Sequence, residues 1–214
     1  MRVDFFGDPV CPWTWIASRW LALVSKPRHL DVHWRSYSLE LRDGEGLSAE
    51  IPAALHDTVR AARLLSRRAL RVGEAVRVAD SRATGVLYAT LATQLFNPGR
   101  PPTPPRPEML ADALRAAGLA SWADAADDPD WDEAIIRSMR EAFDAVGDSA
   151  GSPTIVFDGR DRKRIGVSGP TLSATPGVAA SVRVWDAVVQ LAEEQQFVDV
   201  HRTRTVPVLS SATP

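Results

Sequence analysis

The chain has 214 residues, of which 45% are hydrophobic and 24% charged, and its formal net charge is −2. These values exclude a disordered chain, because the apolar fraction is large enough to offset the conformational entropy lost on folding. A nearly neutral chain also lacks the strongly basic face that nucleic-acid binding needs. Neither a long apolar run nor a basic and hydrophobic leader occurs in the sequence, so we expect a cytoplasmic protein without a membrane partner.

The first elements predict a parallel strand-helix-strand unit. Residues 2–6 form a short apolar run typical of a strand, and residues 13–25 carry apolar side chains at helical spacing. Pro12 suits the first turn of that helix, where the N–H that proline lacks would have no partner. Residues 31–39 alternate in the manner of a second strand. A right-handed crossover would join the two strands.

A long helical stretch follows, and strands return only near the end. The stretch 97–107 is too rich in proline for a helix or a central strand and predicts a surface connection. Residues 154–157 and 164–167 predict a hairpin with a turn at Asp158-Gly159. The tail from residue 201 has no regular pattern. The predicted helices are 55–72, 85–96, 108–117 with Gly118 as C-cap, 131–146 with Gly147 after it, and 178–195.

Cys11 is the only cysteine, and it lies where the first strand passes into the first helix. No internal disulfide can form, so any redox chemistry must involve the sulfur of a second molecule. The N–H groups at a helix start and the helix dipole favour a thiolate, so we expect a lowered pKa for Cys11. Asp8 either opposes this effect by its charge or caps the loop. The alternative is that Cys11 is a small buried apolar residue.

The sequence Gly151-Ser152-Pro153-Thr154 stands directly before the late strand. Thioredoxin-fold proteins place a cis-proline loop at this point, facing the active cysteine. Such a loop presents the backbone of the preceding residue, here Ser152, to an extended substrate. We therefore expect a cis Pro153, and the alternative is an ordinary trans proline that starts a strand.

Over nearly its whole length the chain resembles the DsbA-like proteins, and in particular the mycothiol-dependent nitroreductase group of actinobacteria. The resemblance rests on the segments DFFGDPVCPWTW, DAVGDSAGSPTIVFDG, the dipeptide GP at 169–170, and HRTRTVP. It implies an α/β, thioredoxin-like fold, with βαβ followed by ββα. Residues 1–45 and 148–214 would form the thioredoxin-like domain, and residues 46–147 a helical insertion that walls a cleft over the cysteine.

Members of that group use a C-P-W-C dithiol, draw electrons from the small thiol mycothiol, and reduce disulfides or nitro compounds. Thr14 stands here in place of the second cysteine, so an internal disulfide cycle is impossible. The resemblance then implies a monothiol enzyme, a thiol-disulfide oxidoreductase. Cys11 would attack a disulfide or small electrophile, and mycothiol or another low-molecular-weight thiol would release the mixed disulfide. Thr14 either donates its hydroxyl to the thiolate or merely continues the helix, and both interpretations remain open.

The predicted site has two catalytic and four substrate-binding residues. Trp13 is expected to be exposed beside the sulfur, where its ring can stack on a ligand, whereas Trp15 and Trp20 are expected in the core. Arg202 and Arg204 could meet the carboxylate of a thiol cofactor, although pairing with surface acids is the favoured interpretation. The catalytic residues are Cys11 and Thr14, and the substrate-binding residues are Pro12, Trp13, Ser152 and Pro153.

The sequence leaves other partners and functions open. The four histidines lack metal-binding spacing, so no metal is expected, and a homodimer is left open. Kappa-class glutathione transferases and 2-hydroxychromene-2-carboxylate isomerases share the insertion topology and bind glutathione without redox turnover. A third possibility is a non-catalytic binding module that uses Trp13 and the Pro153 loop.

Overall fold

A four-stranded mixed sheet forms the centre of the protein, whose computed structural model describes residues 1–44, 51–96, 105–161, 163–200 and 202–203. The strands are β1 (Arg2–Gly7), β2 (Asp31–Ser36), β3 (Thr154–Asp158) and β4 (Arg164–Ser168). Their order in the sheet is β2-β1-β3-β4. β1 runs parallel to β2 and antiparallel to β3, and β3 and β4 form the predicted hairpin.

Helices cover the sheet and fill the sequence between β2 and β3. Short 3₁₀ turns occur at Ala53–Leu55, Ala120–Asp127, Pro129–Trp131 and Gly147–Ser149. In the described part of the chain, no helix combines the length and the apolar character needed to cross a membrane. The predicted α/β fold, βαβ followed by ββα, is confirmed. The helices are α1 (Pro12–Ser25), α2 (Leu39–Asp43), α3 (His56–Ala79), α4 (Ser81–Leu95), α5 (Met109–Ala116), α6 (Asp132–Val146) and α7 (Val178–Glu193).

Both faces of the sheet are buried, which explains why the adjacent residues Phe5 and Phe6 of β1 are both apolar. Phe5 belongs to a cluster with Trp20 of α1 and Trp185 of α7. Its neighbour Phe6 points to the opposite face and belongs to a cluster with Ile135 of α6 and with α3. Successive strand residues thus bury against different helices, and the carboxyl end of β1 is held rigidly where the chain turns into α1.

The end of the second strand and the end of the long helix that follows were predicted wrongly. The second strand ends at Ser36, not Leu39, because Ser38 caps α2 by accepting a hydrogen bond from the Leu41 N–H at 3.2 Å. The helix predicted to end at residue 72 continues to Ala79. Gly73 lies inside this helix, where a Cβ would make an ordinary van der Waals contact with Thr84 Cγ2 at 3.6 Å.

The helix predicted to begin at residue 85 begins earlier, at Ser81, and the other predicted boundaries agree to within two residues or lie outside the described residues. Gly118 and Gly147 follow α5 and α6 with positive φ angles of 72° and 62°, as expected for residues at helix C-termini. Most of the proline-rich stretch falls in residues 97–104, which lie outside the described residues, as does most of the tail. Positions 105–107 have no helical structure, and α5 begins at Met109.

An ion-pair cluster joins α3 to the start of α6. Asp132 Oδ1 lies 2.7 Å from Arg71 Nε, and Asp132 Oδ2 lies 2.7 Å from Arg67 Nη2. The hydrogen bond from Arg71, followed by that from Arg67, holds the pKa of Asp132 far below its ordinary value. The stabilisation is therefore present above the ordinary carboxyl pKa of about 4 and is lost as the pH falls below it.

We expect Asp132→Asn to lower the free energy of unfolding by about 1–3 kcal/mol at pH 7, because both arginines lose a partly buried charged partner. The difference from the parent protein should shrink as the pH falls from 5 towards 3. Urea unfolding at several pH values measures it. Asp57→Asn is the matched control, since Asp57 is 98% exposed and should change stability little at any pH. Equal stability of Asp132→Asn and the parent at pH 7 would contradict this role.

Candidate active site

Cys11 is the N-cap residue of α1, directly after the turn that follows β1. Its N–H donates to the Asp8 carbonyl at 3.1 Å, and its carbonyl accepts from the Trp15 N–H at 3.0 Å. Pro12 occupies the first helical position, as predicted. Backbone hydrogen bonds on both sides therefore fix the cysteine between the end of the strand and the beginning of the helix.

The loop before β3 faces the sulfur. The Ser152–Pro153 peptide bond is cis. Cys11 Sγ donates to the carbonyl oxygen of Ser152 at 3.2 Å. Ser152 Oγ accepts from the Asp8 N–H at 2.8 Å and lies 2.5 Å from Thr14 Oγ1. The structure thus brings together Cys11, Thr14 and Ser152, which are separated by up to 141 positions in the sequence.

Thr14 is fully buried beneath the cysteine and packs against Gly7 at the end of β1. A Cβ added to Gly7 would lie 2.4 Å from Thr14 Cγ2, well inside van der Waals contact. Gly7 therefore provides the space in which the methyl group of Thr14 lies. Because the methyl group occupies this space, the hydroxyl of Thr14 points towards Ser152 Oγ.

We expect Gly7→Ala to lower the free energy of unfolding by about 1–3 kcal/mol, because the new methyl group overlaps that of Thr14. Thr14→Ser, which keeps the hydroxyl and removes the methyl group, should restore most of this loss in the double variant. Urea unfolding of the two single variants and the double variant gives the coupling energy. Strictly additive losses would show that the two side chains do not meet.

The predicted lowering of the Cys11 pKa is wrong. Burial raises the pKa of the Cys11 thiol above its ordinary value, since Cys11 is only 4% exposed. Hydrogen bonds from the Thr14 hydroxyl, the Thr14 backbone N–H and the Ser152 side chain oppose this rise, and the charge of Asp8 adds to it. Cys11 is therefore mostly a thiol at neutral pH, and its thiolate is scarce but strongly nucleophilic.

Asp8 has both of the roles that the sequence left open. Its Oδ1 accepts from the Val10 N–H at 2.9 Å and so caps the loop before Cys11. Its charge also helps to raise the Cys11 pKa. Its distant partners could not be predicted from the sequence, because Ser66 on α3 and Tyr88 on α4 reach it only through the tertiary fold.

A cleft of about 570 Å³ opens in front of the cysteine. The Cys11 loop and the Pro153 loop form one wall, and α2 and α3 form the other. Two cations of the far wall share one acid: Arg42 Nε and Arg63 Nη2 each lie 2.5 Å from an oxygen of Asp43. The cleft is lined on the near side by Cys11, Pro12, Trp13, Ser152 and Pro153 and on the far side by Leu39, Arg42, Val59, Ala62 and Arg63.

The structure shows the positions of the N-terminal tryptophans and of one of the two tail arginines. Trp13 is partly exposed and lines the cleft, whereas Trp15 and Trp20 are buried in the core as predicted. Arg202 is exposed and forms no ion pair with another described residue, and Arg204 lies outside the described residues. Within the described ranges, no group of three His, Cys, Asp or Glu side chains is placed to hold a metal ion.

A cysteine at the start of the first helix that faces a cis-proline loop at one edge of a mixed β2-β1-β3-β4 sheet defines a thioredoxin-fold protein. The model of the Rv2466c-like family, described as mycothiol-dependent nitroreductase Rv2466c, matches residues 10–202. The chain belongs to this family. Family and fold together support a thiol-disulfide oxidoreductase.

Three relatives illustrate the likeness. The uncharacterized protein Rv2286c of Mycobacterium tuberculosis is 24% identical over 206 residues, which are 95% of this chain and 82% of the relative. Cytosolic disulfide reductase DsbM of Pseudomonas aeruginosa has a TM-score of 0.59 at 19% identity, with 90% of this chain and 100% of DsbM covered. A 2-hydroxychromene-2-carboxylate isomerase has a TM-score of 0.57 at 14% identity, with 89% and 96% covered. At these identities the structural likeness shows the fold alone.

Proposed function

We propose that the protein is a monothiol reductase in which Cys11 is the nucleophile and mycothiol the electron donor. The observation that carries the proposal is the position of the Cys11 sulfur. It faces the Ser152 carbonyl at 3.2 Å and lines a cleft of about 570 Å³, a volume in the range of small-molecule sites. Since the chain has no second cysteine, the sulfur that completes the cycle must come from a bound thiol.

The reaction begins when the Cys11 thiolate attacks a disulfide R–S–S–R′. The S–S bond breaks, Cys11–S–S–R forms, and R′S⁻ leaves and takes up a proton. The mycothiol thiolate then attacks the sulfur of R, which releases Cys11 as a thiolate and yields the mixed disulfide of mycothiol and R. The net reaction exchanges one thiol of the substrate for mycothiol and leaves the enzyme unchanged.

Thr14 and Ser152 would act on the Cys11 thiolate in this cycle. Hydrogen bonding by the Thr14 hydroxyl and N–H and by the Ser152 side chain lowers the Cys11 pKa. The two hydroxyls share one hydrogen bond at 2.5 Å, so one remaining O–H can donate to the sulfur. These hydrogen bonds therefore favour the charged sulfur both before attack and when it leaves. This supports the interpretation of Thr14 as a hydroxyl donor over that of a residue that merely continues the helix. Pro12, Trp13 and Pro153, which line the cleft, would hold the substrate beside the sulfur.

The choice of mycothiol rests on the family to which the chain belongs. The proposed compartment is the cytoplasm, where small thiols are kept reduced and a chain with one cysteine needs no disulfide. A disulfide reductase of the same fold, DsbM, is cytosolic by name, which is consistent with this compartment.

The test is a reduction assay with a small aromatic disulfide and either mycothiol or glutathione as the only donor. We expect turnover with mycothiol that rises about tenfold per pH unit around neutrality, because the rate follows the thiolate fraction of a thiol with a raised pKa. Turnover with glutathione but not with mycothiol would identify glutathione as the electron donor, and the monothiol cycle would still hold. No turnover with either thiol would contradict the proposal.

A second candidate function is supported by the burial of the thiol. With Cys11 protonated and Thr14 in place of a second cysteine, the site could bind a small thiol without exchanging electrons, as an isomerase or a transferase would. The two candidates differ in the need for sulfur. Redox turnover requires Cys11, whereas thiol-dependent isomerisation or transfer can proceed with a hydroxyl at that position.

A further inference from the structure

Asp8 is a fully buried carboxyl group with three hydrogen-bond donors around it. Its Oδ1 accepts from the Val10 N–H at 2.9 Å and from the Ser66 hydroxyl at 2.6 Å. Its Oδ2 accepts from the Leu39 N–H at 2.8 Å. A carboxylate is a pure acceptor, so it satisfies all three donors at once. An asparagine would turn an NH₂ group towards at least one of them.

These donors come from three separate elements. Val10 belongs to the loop that carries Cys11, Leu39 is the first residue of α2, and Ser66 lies in the middle of α3. The Cys11 loop forms the near wall of the cleft, while α2 and α3 form the far wall. One buried side chain therefore connects both walls of the cleft.

The backbone of Asp8 is tied to the same site. Its N–H donates to Ser152 Oγ at 2.8 Å, and its carbonyl accepts from the Cys11 N–H at 3.1 Å and from the Tyr88 hydroxyl at 3.4 Å. A displacement of Asp8 would thus move both Cys11 and the Ser152 loop, whose carbonyl oxygen accepts the hydrogen bond from Cys11 Sγ.

We propose that Asp8 is a positioning residue: its buried carboxyl group holds the Cys11 loop against α2 and α3, and so sets the shape of the cleft and the reactivity of the Cys11 sulfur. Only the effect on turnover rests on the proposed function. The effect on the free sulfur is a property of the folded chain and needs no substrate.

The charge of Asp8 acts on a small set of buried groups. Cys11 on α1, Arg63 on α3 and Tyr88 on α4 are the ionisable groups that interact with it, and Arg63 also pairs with Asp43 of α2. Burial raises the pKa of Asp8, and the three hydrogen bonds and the charge of Arg63 oppose that rise. When Asp8 is ionised it disfavours a second negative charge on Cys11 or Tyr88.

The experiment measures the pH dependence of Cys11 alkylation by iodoacetamide, followed by intact mass, in Asp8→Asn. Asp4→Asn is the matched control. Asp4 is also a buried acid of the N-terminal region, but it pairs with Arg2 and Arg164 and not with the Cys11 loop. Ser66→Ala is the second variant: it removes one of the three hydrogen bonds and leaves the charged group in place.

We expect the alkylation midpoint of Asp8→Asn to fall by about 1 pH unit, the effect of removing a nearby like charge. Ser66→Ala should speed alkylation at a fixed pH, by less than Asp8→Asn does, since the Cys11 loop is then held to α3 by one hydrogen bond fewer. Asp4→Asn should leave the midpoint unchanged. In the reduction assay, the KM of Asp8→Asn for the disulfide should rise about fivefold, as expected when a hydrogen bond holding a wall of the cleft is lost.

An unchanged midpoint in folded Asp8→Asn together with an unchanged alkylation rate in Ser66→Ala would overturn the proposal, and so would an equal shift in Asp4→Asn. If Asp8→Asn does not fold, Ser66→Ala decides the question alone. The alkylation result does not depend on turnover, so a shifted midpoint without any thiol-dependent reduction would refute the proposed function and leave the role of Asp8 intact.

Discussion

Cys11→Ser is expected to lower the rate of disulfide reduction by about 10³-fold or more, because it removes the group that attacks the substrate. A serine hydroxyl is not ionised at neutral pH and cannot form a mixed disulfide. The fold should be retained, since the smaller Ser Oγ can donate to the Ser152 carbonyl as Cys11 Sγ does. Steady-state reduction with mycothiol, together with thermal unfolding of both proteins, measures the two effects.

Substantial disulfide reduction by Cys11→Ser would contradict the proposed role of Cys11 as the redox nucleophile. Retained isomerisation or transfer with mycothiol in that variant would favour the second candidate function, and the loss of every thiol-dependent conversion would favour the reductase. Unaltered binding of peptides by a chain that turns over nothing would identify a binding module.

Thr14→Cys is expected to produce a dithiol enzyme. Position 14 is three residues after Cys11 in the first turn of α1, and its hydroxyl lies in the hydrogen-bonding environment of the sulfur. The oxidised variant should form an internal disulfide, lose about 2 Da, and resist alkylation. Because an attached thiol resolves the mixed disulfide without diffusing to it, turnover should rise about tenfold or more.

Ser18→Cys is the matched control for this gain of function. Ser18 is also buried on α1, but it lies about two turns from Cys11, or roughly 10 Å along the axis, beyond the reach of a disulfide. It should neither lose mass on oxidation nor gain activity. If oxidised Thr14→Cys keeps two free thiols, the side chains at positions 11 and 14 do not meet.

Local pattern was enough to predict the elements that carry the cysteine. The apolar run at residues 2–6, Pro12 in the first turn and the late hairpin all follow from propensities that act over a few residues. Pairing Cys11 with Ser152 needed more, because 141 positions separate them, and only the resemblance to a known fold could predict it. The second strand was predicted too long because the alternation of residues 31–39 did not reveal the local cap that Ser38 provides to α2.

The ionisation of the site could not be predicted in the same way. The position of Cys11 at a helix start suggests a stabilised thiolate, but the pKa also depends on burial beneath the cleft and on the charge of Asp8. Both depend on α2, α3 and α4, whose approach to the cysteine leaves no mark on the nearby sequence. The contact of Gly7 with Thr14 differs, since strand, turn and helix alone bring these two residues together.

Incubation of the protein with oxidised mycothiol, followed by intact mass, tests whether Cys11 exchanges disulfides at all. The monothiol cycle predicts one added mycothiol, formed faster as the pH rises from 7 to 9, absent in Cys11→Ser and removed by excess reduced mycothiol. The same protein unfolded in urea serves as the control that the reagent reacts with this cysteine. An adduct that forms only in urea, and never on the folded chain, would contradict the proposed chemistry of Cys11.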